Sequence, residues 1–262
     1  MIPYGRQDVR DSDVEAVVEI LRSDFLTQGP TVPRFEELVA RRVGARYAIA
    51  VNSATSALHI ACLALELGPD DVLWTVPNTF VASANCARYC GASVDFVDID
   101  PRTGNMDVEA LRSKLIEADR IGSVPKVVVP VHFAGQPPEQ ELIWELAKHY
   151  GFRVLEDASH AIGASRQGEA VGNCRWSDIT VFSFHPVKII TTGEGGMALT
   201  NDPVLAEQMA TLRLHGIVRD PGLLECVAAG EPTPSPWYYE QQVLGYNYRM
   251  TDIHAALGKS QL

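Results

Sequence analysis

The sequence predicts an α/β fold in which helices cover both faces of a mostly parallel β-sheet. From Tyr47 onward, short β-rich runs alternate with helical patterns of about ten residues, an alternation typical of such folds. Glycine follows several of the helical patterns, at the position where helices end in a left-handed conformation. The 262 residues, 46% of them hydrophobic, can bury the core of one large domain or of two small ones.

Two helices are predicted before the first strand. In the first, at 12–21, Ser12 and Glu15 have the spacing of a capping box. The second, at 35–43, stops at Gly44, and a turn-rich loop at 25–30 lies between them. The apolar residues that share one face of the first helix are Val14, Val17, Val18 and Leu21.

Strands and helices then alternate along the chain. Strands are predicted at 47–51, 71–75, 93–97, 126–129 and 152–155. Helices are predicted at 55–67, 80–90, 107–116 and 139–150, with Gly68, Gly91 and Gly151 closing the first, second and fourth. Two further strands, 178–184 and 196–200, have no helix between them, so an antiparallel pair is expected. A helix at 203–214 and a polar, Pro-rich stretch at 220–236 follow.

Composition argues against several classes of protein. Lys and Arg number 22 against 33 Asp and Glu, a net charge of -11, which disfavours nucleic-acid binding. No apolar run is long enough for a membrane span and the start does not resemble a signal peptide, so we expect a cytoplasmic protein. The cysteines are odd in number and form no C-x-x-C pair, which makes a disulfide framework or a zinc ribbon unexpected. They are Cys62, Cys86, Cys90, Cys174 and Cys226.

The first chemically informative segment is Asn-Ser-Ala-Thr-Ser at 52–56, between a strand and a helix. Open α/β sheets bind ligands at the carboxyl ends of their strands, where this segment lies. Small and hydroxyl residues there leave backbone N–H groups free at a helix N-terminus, which favours a phosphate. The alternative is plain N-capping by Ser53 or Thr55.

The second segment, 156–160, follows another predicted strand and contains Asp157 and His160. Asp157 could be a helix cap, a metal ligand or the partner of a protonated ring nitrogen. Metal binding is the weakest of these because only His160 lies nearby at a ligand spacing, and no metal site is predicted. His160 on its own is more typical of a hydrogen-bonded structural residue.

The third segment, 183–196, holds Lys188 within an apolar run and then a glycine-rich turn. Among Val187, Ile189 and Ile190, the Lys188 amine is expected to be poorly solvated, which lowers its pKa and suits an imine-forming nucleophile. The alternative is a surface lysine whose stem covers apolar groups. The glycines do not form a dinucleotide-binding fingerprint.

A phosphate cradle, a carboxylate and a poorly solvated lysine are together what pyridoxal phosphate chemistry needs. At these residues the sequence resembles the DegT/DnrJ/EryC1/StrS family of fold-type I pyridoxal-phosphate sugar aminotransferases. The resemblance spans 3–262, with motifs at 52–58, 77–80, 156–160, 183–188, 193–196 and 245–250. Segments 2–6, 25–30 and 183–196 most resemble the branch that acts in pseudaminic acid biosynthesis.

The resemblance implies specific roles for these residues. Lys188 is expected to form the Schiff base with the cofactor, and Asp157 to pair with its pyridinium nitrogen. Phe80 would stack on the cofactor ring, as its flat apolar face allows, and His160 would lie near the ring hydroxyl. Asn247 would reach the phosphate from the partner subunit, which implies a homodimer with shared active sites. The other phosphate contacts are Ala54, Thr55 and Ser183, with Ser53 beside them.

The implied activity is a transamination in two half-reactions. An amino donor, L-glutamate, would convert the cofactor to pyridoxamine phosphate, which would aminate C4 of a UDP-linked 4-keto-6-deoxy sugar. The freed Lys188 amine would move the proton. The alternatives are a pyridoxamine-dependent sugar dehydratase, in which a histidine would replace Lys188, and a non-catalytic cofactor-binding or regulatory protein or an inactive fragment. The expected substrate contacts are Tyr4, Arg6, Thr27, Gln28 and Arg249.

The resemblance also divides the chain into three parts. Residues 1–30 would form an N-terminal segment and helix that pack at the substrate cleft, and 31–250 the large domain that binds pyridoxal phosphate. Residues 251–262 would begin a smaller C-terminal domain. Members of the family continue beyond this point, so the chain is expected to be truncated, with its small domain missing.

Overall fold

The computed structural model describes residues 5–228, 230 and 235–262. Tyr4, one of the expected substrate contacts, lies outside the described residues. The helices are α1 (Asp11–Leu21), α2 (Thr31–Val43), α3 (Ala54–Ala64), α4 (Ala82–Tyr89), α5 (Val108–Ile121), α6 (Gln140–Tyr150), α7 (Pro203–Arg213), α8 (Glu225–Ala228) and α9 (Asp252–Gln261). The strands are β1 (Tyr47–Val51), β2 (Val72–Thr75), β3 (Ser93–Phe96), β4 (Val127–Val128), β5 (Arg153–Asp157), β6 (Ser165–Arg166), β7 (Glu169–Ala170), β8 (Ile179–Ser183), β9 (Gly196–Thr200), β10 (Ile217–Val218) and β11 (Glu240–Gln241).

Within the described residues, the main sheet has seven strands in the order β1-β9-β8-β5-β4-β2-β3. Strand β9 is antiparallel to both of its neighbours, β1 and β8. The pairs from β8 through β5, β4 and β2 to β3 are all parallel. The prediction of a mostly parallel sheet between helices is therefore confirmed, including the antiparallel pair at β8 and β9.

Helices pack on both faces of this sheet because side chains alternate along each strand. On one face, Val181 of β8 joins a buried cluster with residues of α3, α4 and α7. On the other face, the next residue, Phe182, joins a cluster with residues of α2 and α9. Residues of α5 and α6 form a third cluster with β2, β4 and β5. Among the described residues, no helix is long and apolar enough to cross a membrane.

The predicted capping box of the first helix is wrong. Helix α1 begins at Asp11, and the carboxylate of Asp13 accepts the N–H of Arg10 at 3.0 Å, so Asp13 takes the place predicted for Glu15. Spacing alone cannot tell Asp13 from Glu15 as the acid of the capping box, because each lies three residues after a possible N-cap. The predicted apolar face is only partly covered, since the side chains of Val14 and Leu21 are 53% and 56% exposed.

The end of α3 also differs from the prediction. The helix stops at Ala64, and Glu66 takes the left-handed conformation with φ 58° that Gly68 was expected to supply. The N–H of Leu67 then returns to the carbonyl of Cys62 at 3.0 Å, which satisfies one of the last helical acceptors. The expected glycine ends of α2, α4 and α6 are present, since Gly44, Gly91 and Gly151 all have positive φ.

Helix α9 packs against α1 and α2, and Ala255 belongs to the same buried cluster as Phe35 of α2. The buried carboxylate of Asp252 accepts the N–H groups of Gly29 and Thr31, both at 2.8 Å. It thereby fixes the 25–30 loop at the start of α2. The division of the chain at residues 30 and 250 stays a prediction.

Candidate active site

A cavity of about 1040 Å³ opens at the carboxyl edge of the sheet. Strands β1, β5 and β8 end there, and β9 begins there, because β9 runs against its neighbours. Three segments that were predicted separately therefore meet in one place. The predicted cofactor contacts that line the cavity are Ser53, Ala54, Thr55, Phe80, Asp157, His160, Ser183 and Lys188.

The N-terminus of α3 forms one wall of the cavity. Ser53 is the N-cap, and its Oγ accepts the N–H of Ser56 at 3.1 Å. Capping by Ser53, the alternative interpretation of this segment, is thus present, and it is compatible with anion binding. The N–H groups of Ala54 and Thr55 have no carbonyl partner within the helix, so they can bind a phosphate.

Gly196, the first residue of β9, lies directly against this helix N-terminus. A Cβ at this position would be 2.4 Å from the nitrogen of Ala54 and 2.5 Å from the carbonyl carbon of Ser53. Only a residue without a side chain permits this approach of strand to helix. The predicted glycine-rich turn therefore has a steric reason at Gly196.

Asp157 ends β5 with its side chain buried beside the cavity. Its Oδ2 accepts the hydroxyl of Ser83 at 2.6 Å, and its Oδ1 accepts the N–H of Ser159 at 3.1 Å. A further hydroxyl, that of Thr79, lies 2.7 Å from Ser83 Oγ. These bonds hold the carboxylate in one orientation, and the residue is only 5% exposed.

Lys188 lies across the cavity, with its Nζ 2.6 Å from Nε2 of His160. Burial lowers the pKa of the Lys188 amine, although the charge of Asp157 acts in the opposite direction. Burial and then the charge of Lys188 also lower the pKa of His160. Each of the two groups therefore binds a proton less readily than a free lysine or a free histidine does.

The predicted cause of the poor solvation of Lys188, its apolar sequence neighbours, is largely wrong. Val187, Ile189 and Ile190 were expected to exclude water; Ile190 is buried, but the side chains of Val187 and Ile189 are 38% and 66% exposed. Lys188 is half-buried because it turns into the cavity, toward His160 and Asp157. Burial in the cavity lowers the pKa of its amine, while the charge of Asp157 raises it.

His132 is a cavity residue that the sequence did not single out. It follows β4, donates its backbone N–H to the carbonyl of Asp157 at 3.0 Å, and is 1% exposed. Its Nε2 is 3.4 Å from the buried carboxylate of Glu156, but neither ring nitrogen makes a hydrogen bond within the described part of the chain. Inspection of the residues that follow predicted strands identified the other site residues and could also have identified His132.

The described substrate candidates and Asn247 do not line this cavity. Arg6, Thr27 and Gln28 are exposed, and Arg249 is partly buried opposite Val51 in an isolated bridge. The side chain of Asn247 is exposed, while its backbone carbonyl lies 3.5 Å from Nδ2 of Asn52. Their predicted roles stay predictions.

The model of the DegT/DnrJ/EryC1/StrS aminotransferase family matches residues 7–262. The chain belongs to this family. The resemblance inferred from the motifs is therefore confirmed. Both the fold and the order of the cavity residues along the chain agree with this assignment.

Individual relatives agree with the family assignment. A UDP-4-amino-4,6-dideoxy-N-acetyl-beta-L-altrosamine transaminase of Campylobacter jejuni is 39% identical over 263 residues, covering 100% of this chain and 64% of the relative. The solved structure of Helicobacter pylori PseC, an aminotransferase involved in pseudoaminic acid biosynthesis, has a TM-score of 0.87 at 34% identity, covering 99% of this chain and 64% of that one. The PLP form of the putative sugar aminotransferase Spr1654 from Streptococcus pneumoniae has a TM-score of 0.83 at 28% identity, covering 99% and 66%. The chain thus spans 64% of the length of the curated relative.

Proposed function

We propose that this chain is the cofactor-binding part of a PLP-dependent sugar aminotransferase. In this proposal an amino group passes from L-glutamate to C4 of a UDP-linked 4-keto-6-deoxy sugar. The single observation that carries it is the position of Lys188, a lysine of lowered pKa that shares a cavity with Asp157 and the N-terminus of α3. Family membership supports the same activity.

The residues of the cavity fit pyridoxal phosphate. The phosphate would be held by the free N–H groups of Ala54 and Thr55, with the hydroxyls of Ser53 and Ser183 beside them. The buried carboxylate of Asp157 suits a protonated ring nitrogen. Nδ1 of His132, a buried ring that also lines the cavity, has no hydrogen-bond partner among the described residues, whereas Nε2 faces the carboxylate of Glu156 at 3.4 Å.

Two further side chains complete the fit. Phe80 is 74% exposed at the cavity, so its ring face is free to stack on an aromatic ligand. His160 is placed to contact a group bound beside Lys188, and the resemblance assigns it to the ring hydroxyl. Every predicted cofactor contact except Asn247 can thus be supplied by one subunit.

When bound, pyridoxal phosphate supplies an electron-accepting ring that carries the amino group between donor and acceptor. Lys188 would be the nucleophile that holds the cofactor and afterwards the base that takes up and returns the proton. Its lowered pKa favours the neutral amine that both tasks need. His160, at 2.6 Å, accepts or returns a proton at the Lys188 nitrogen.

The sugar is inferred from the relatives. The Campylobacter jejuni relative is named for an altrosamine product and Helicobacter pylori PseC for pseudoaminic acid biosynthesis. We infer a substrate of the same class, contacted by Arg6, Thr27, Gln28 and Arg249. We further infer a cytoplasmic homodimer in which Asn247 completes the partner's phosphate site.

The alternatives are less well supported. A sugar dehydratase of this family would have a histidine at the position of Lys188, and the lysine argues directly against it. A non-catalytic cofactor-binding protein would need no lysine of lowered pKa beside a second proton acceptor, yet His160 lies 2.6 Å from Lys188. Transamination is therefore the activity that the cavity supports best.

Borohydride reduction followed by peptide mass spectrometry tests the assignment of Lys188. The cofactor adduct is expected on the peptide that contains Lys188 and is expected to be absent from Lys188→Ala. A matched Lys148→Ala variant, which removes an exposed lysine of α6, should keep the adduct. An adduct on another lysine, or none, would refute the aminotransferase proposal.

The reaction itself is tested by spectroscopy in two stages. L-Glutamate should convert the bound cofactor to the pyridoxamine form, and a UDP-linked 4-keto-6-deoxy sugar should restore the original spectrum. If no amino donor causes the first change, the proposed activity is wrong. If only the sugar stage fails, the substrate class is wrong and the transaminase chemistry remains.

A further inference from the structure

Behind Asp157 lies a relay of two hydroxyl groups that no role assigned above uses. We propose that Ser83, assisted by Thr79, is a positioning residue that orients the Asp157 carboxylate toward the ring nitrogen of the cofactor. The proposal rests on the binding of pyridoxal phosphate but not on the identity of the sugar. It adds a residue from α4 to a site otherwise built from strand ends and the N-terminus of α3.

The hydrogen bond between Ser83 and Asp157 is short and shielded from water. Ser83 Oγ lies 2.6 Å from Asp157 Oδ2, and the two residues are 0% and 5% exposed. In such a site water cannot replace a missing donor, so the orientation of the carboxylate depends on its protein partners. The other oxygen, Oδ1, accepts only the longer bond from the N–H of Ser159 at 3.1 Å among the described residues.

The direction of the relay follows from hydrogen-bond chemistry. An ionised carboxylate only accepts, so the Ser83 hydroxyl must donate its one proton to Asp157. Ser83 then has only lone pairs left for Thr79, whose Oγ1 is 2.7 Å away, and Thr79 must donate to Ser83. Two aligned donors polarise one another and strengthen the bond that reaches the carboxylate.

The same turn of chain also carries Phe80, the predicted stacking residue. The backbone N–H of Ser83 donates to the carbonyl of Phe80 at 3.2 Å, and Thr79 and Phe80 both line the cavity. Residues 79–83 therefore link Phe80, which would stack on the cofactor ring, to the carboxylate that would bind its nitrogen. A change at Ser83 acts on the ring nitrogen through Asp157, without contact between Ser83 and the cofactor.

The test compares two probes, pyridoxal phosphate and 1-deazapyridoxal phosphate, which has carbon in place of the ring nitrogen. Each is titrated into the apo forms of the wild-type protein, Ser83→Ala and Ser83→Thr, with binding followed by absorbance. Ser83→Ala should bind pyridoxal phosphate about three- to tenfold more weakly, because an unordered carboxylate must be immobilised on binding. Its affinity for the deaza probe should equal that of wild type, and Ser83→Thr should match wild type for both.

Thr75→Val is the matched control. It also removes a fully buried hydroxyl, one that donates to the carbonyl of Val129 at 3.0 Å and does not reach Asp157. It should change neither affinity. If Ser83→Ala does not fold, Thr79→Val carries the test, with a smaller loss selective for pyridoxal phosphate.

Equal losses for both probes with Ser83→Ala would show a merely structural role and overturn the proposal. Unchanged affinity for pyridoxal phosphate, or a loss with Ser83→Thr as large as with Ser83→Ala, would also overturn it. A wild-type protein that does not bind pyridoxal phosphate would instead refute the proposed function. The two failures are therefore distinguishable.

Discussion

Replacing Gly196 with alanine should damage the proposed phosphate site at the N-terminus of α3 more than the rest of the fold. The added Cβ would lie 2.4 Å from the nitrogen of Ala54 and 2.6 Å from the carbonyl oxygen of Ser53. Carbon atoms in ordinary contact are about 3.5 to 4 Å apart, so strand β9 and the start of α3 must separate by about 1 Å. Both clashing partners are backbone atoms, which no side-chain rotation can move away.

This displacement has two measurable consequences. Overpacking of this kind costs about 1–3 kcal/mol, which lowers the melting temperature by about 2–4 °C for each kcal/mol in a chain of this size. A shift of about 1 Å also moves the N–H groups of Ala54 and Thr55 beyond hydrogen-bond distance from a bound phosphate. Loss of one bond to a charged group weakens binding by about tenfold or more.

The assay is calorimetric melting of the apo protein together with titration of pyridoxal phosphate below the melting temperature. Gly68→Ala is the matched control, since its Cβ would meet nothing closer than Asp71 Oδ2 at 3.9 Å. That variant should keep the wild-type affinity, and its stability should be equal or slightly higher because alanine restricts the unfolded chain. If Gly196→Ala keeps both wild-type values, the close approach of β9 to α3 does not shape the cradle and the reasoning fails.

Three other predictions concern the charged groups and the assembly. Burial lowers the pKa of Lys188 in the folded protein below the 10.5 of the unfolded chain. Between these two pKa values the unfolded chain binds more protons, so the free energy of unfolding rises with pH. The stability gained by Lys188→Met in urea unfolding should therefore be largest below the folded-state pKa and shrink toward pH 10.5. Thr180→Val removes the hydroxyl that donates to the charged Glu156 Oε2 at 2.7 Å, and it should lower the free energy of unfolding, measured in urea, by about 1–3 kcal/mol. Thr75→Val removes a bond to a neutral carbonyl and should lower it by only about 0.5–1.5 kcal/mol. If Asn247 completes the site of the partner subunit, dimers reassembled from equal amounts of Lys188→Ala and Asn247→Ala subunits should recover about a quarter of wild-type activity. Half of these dimers are mixed, and each mixed dimer has one intact site out of two. No recovery would instead place Asn247 in the site of its own subunit.

The sheet and most of the site were predictable because both depend on short patterns. Strand–helix alternation gave the parallel sheet, and left-handed glycines at 44, 91 and 151 end helices where expected. The carboxyl ends of parallel strands converge, so 52–56, Asp157 and Ser183 could be placed in one site before any contact was known. These features require only that each segment adopt its locally preferred structure.

Other parts of the site depend on contacts that no local pattern records. Ser83 lies 74 positions before Asp157 and meets it only because α4 packs against the sheet. The burial of Lys188 comes from the cavity, while Ile189 beside it is 66% exposed. Local hydrophobicity predicts what a segment can bury, but tertiary packing decides what it does bury.

The acids Glu156 and Asp157 are adjacent in β5, but their side chains lie in different surroundings. Successive side chains of β5 point to opposite faces of the sheet. Glu156 faces α6, and its carboxylate accepts from the amide of Gln140 in that helix and from the hydroxyl of Thr180 in β8. Burial raises the pKa of Glu156, but the charge of His132 and then these hydrogen bonds keep it below its usual value.

Asp157 points the other way, toward Ser83 and the helices whose N-termini border the cavity. Val181, its register partner in β8, and Ser183 share that face, so the carboxylate and the β8 hydroxyl reach the cavity together. A one-residue shift of register would exchange the two acids. It would place Glu156 in the cavity and turn Asp157 toward Gln140 and Thr180, where no hydroxyl from α4 could reach it. The register of β5 with β8 therefore decides that the second acid of the pair, rather than the first, lines the cavity, and the proposed catalytic role of Asp157 depends on it.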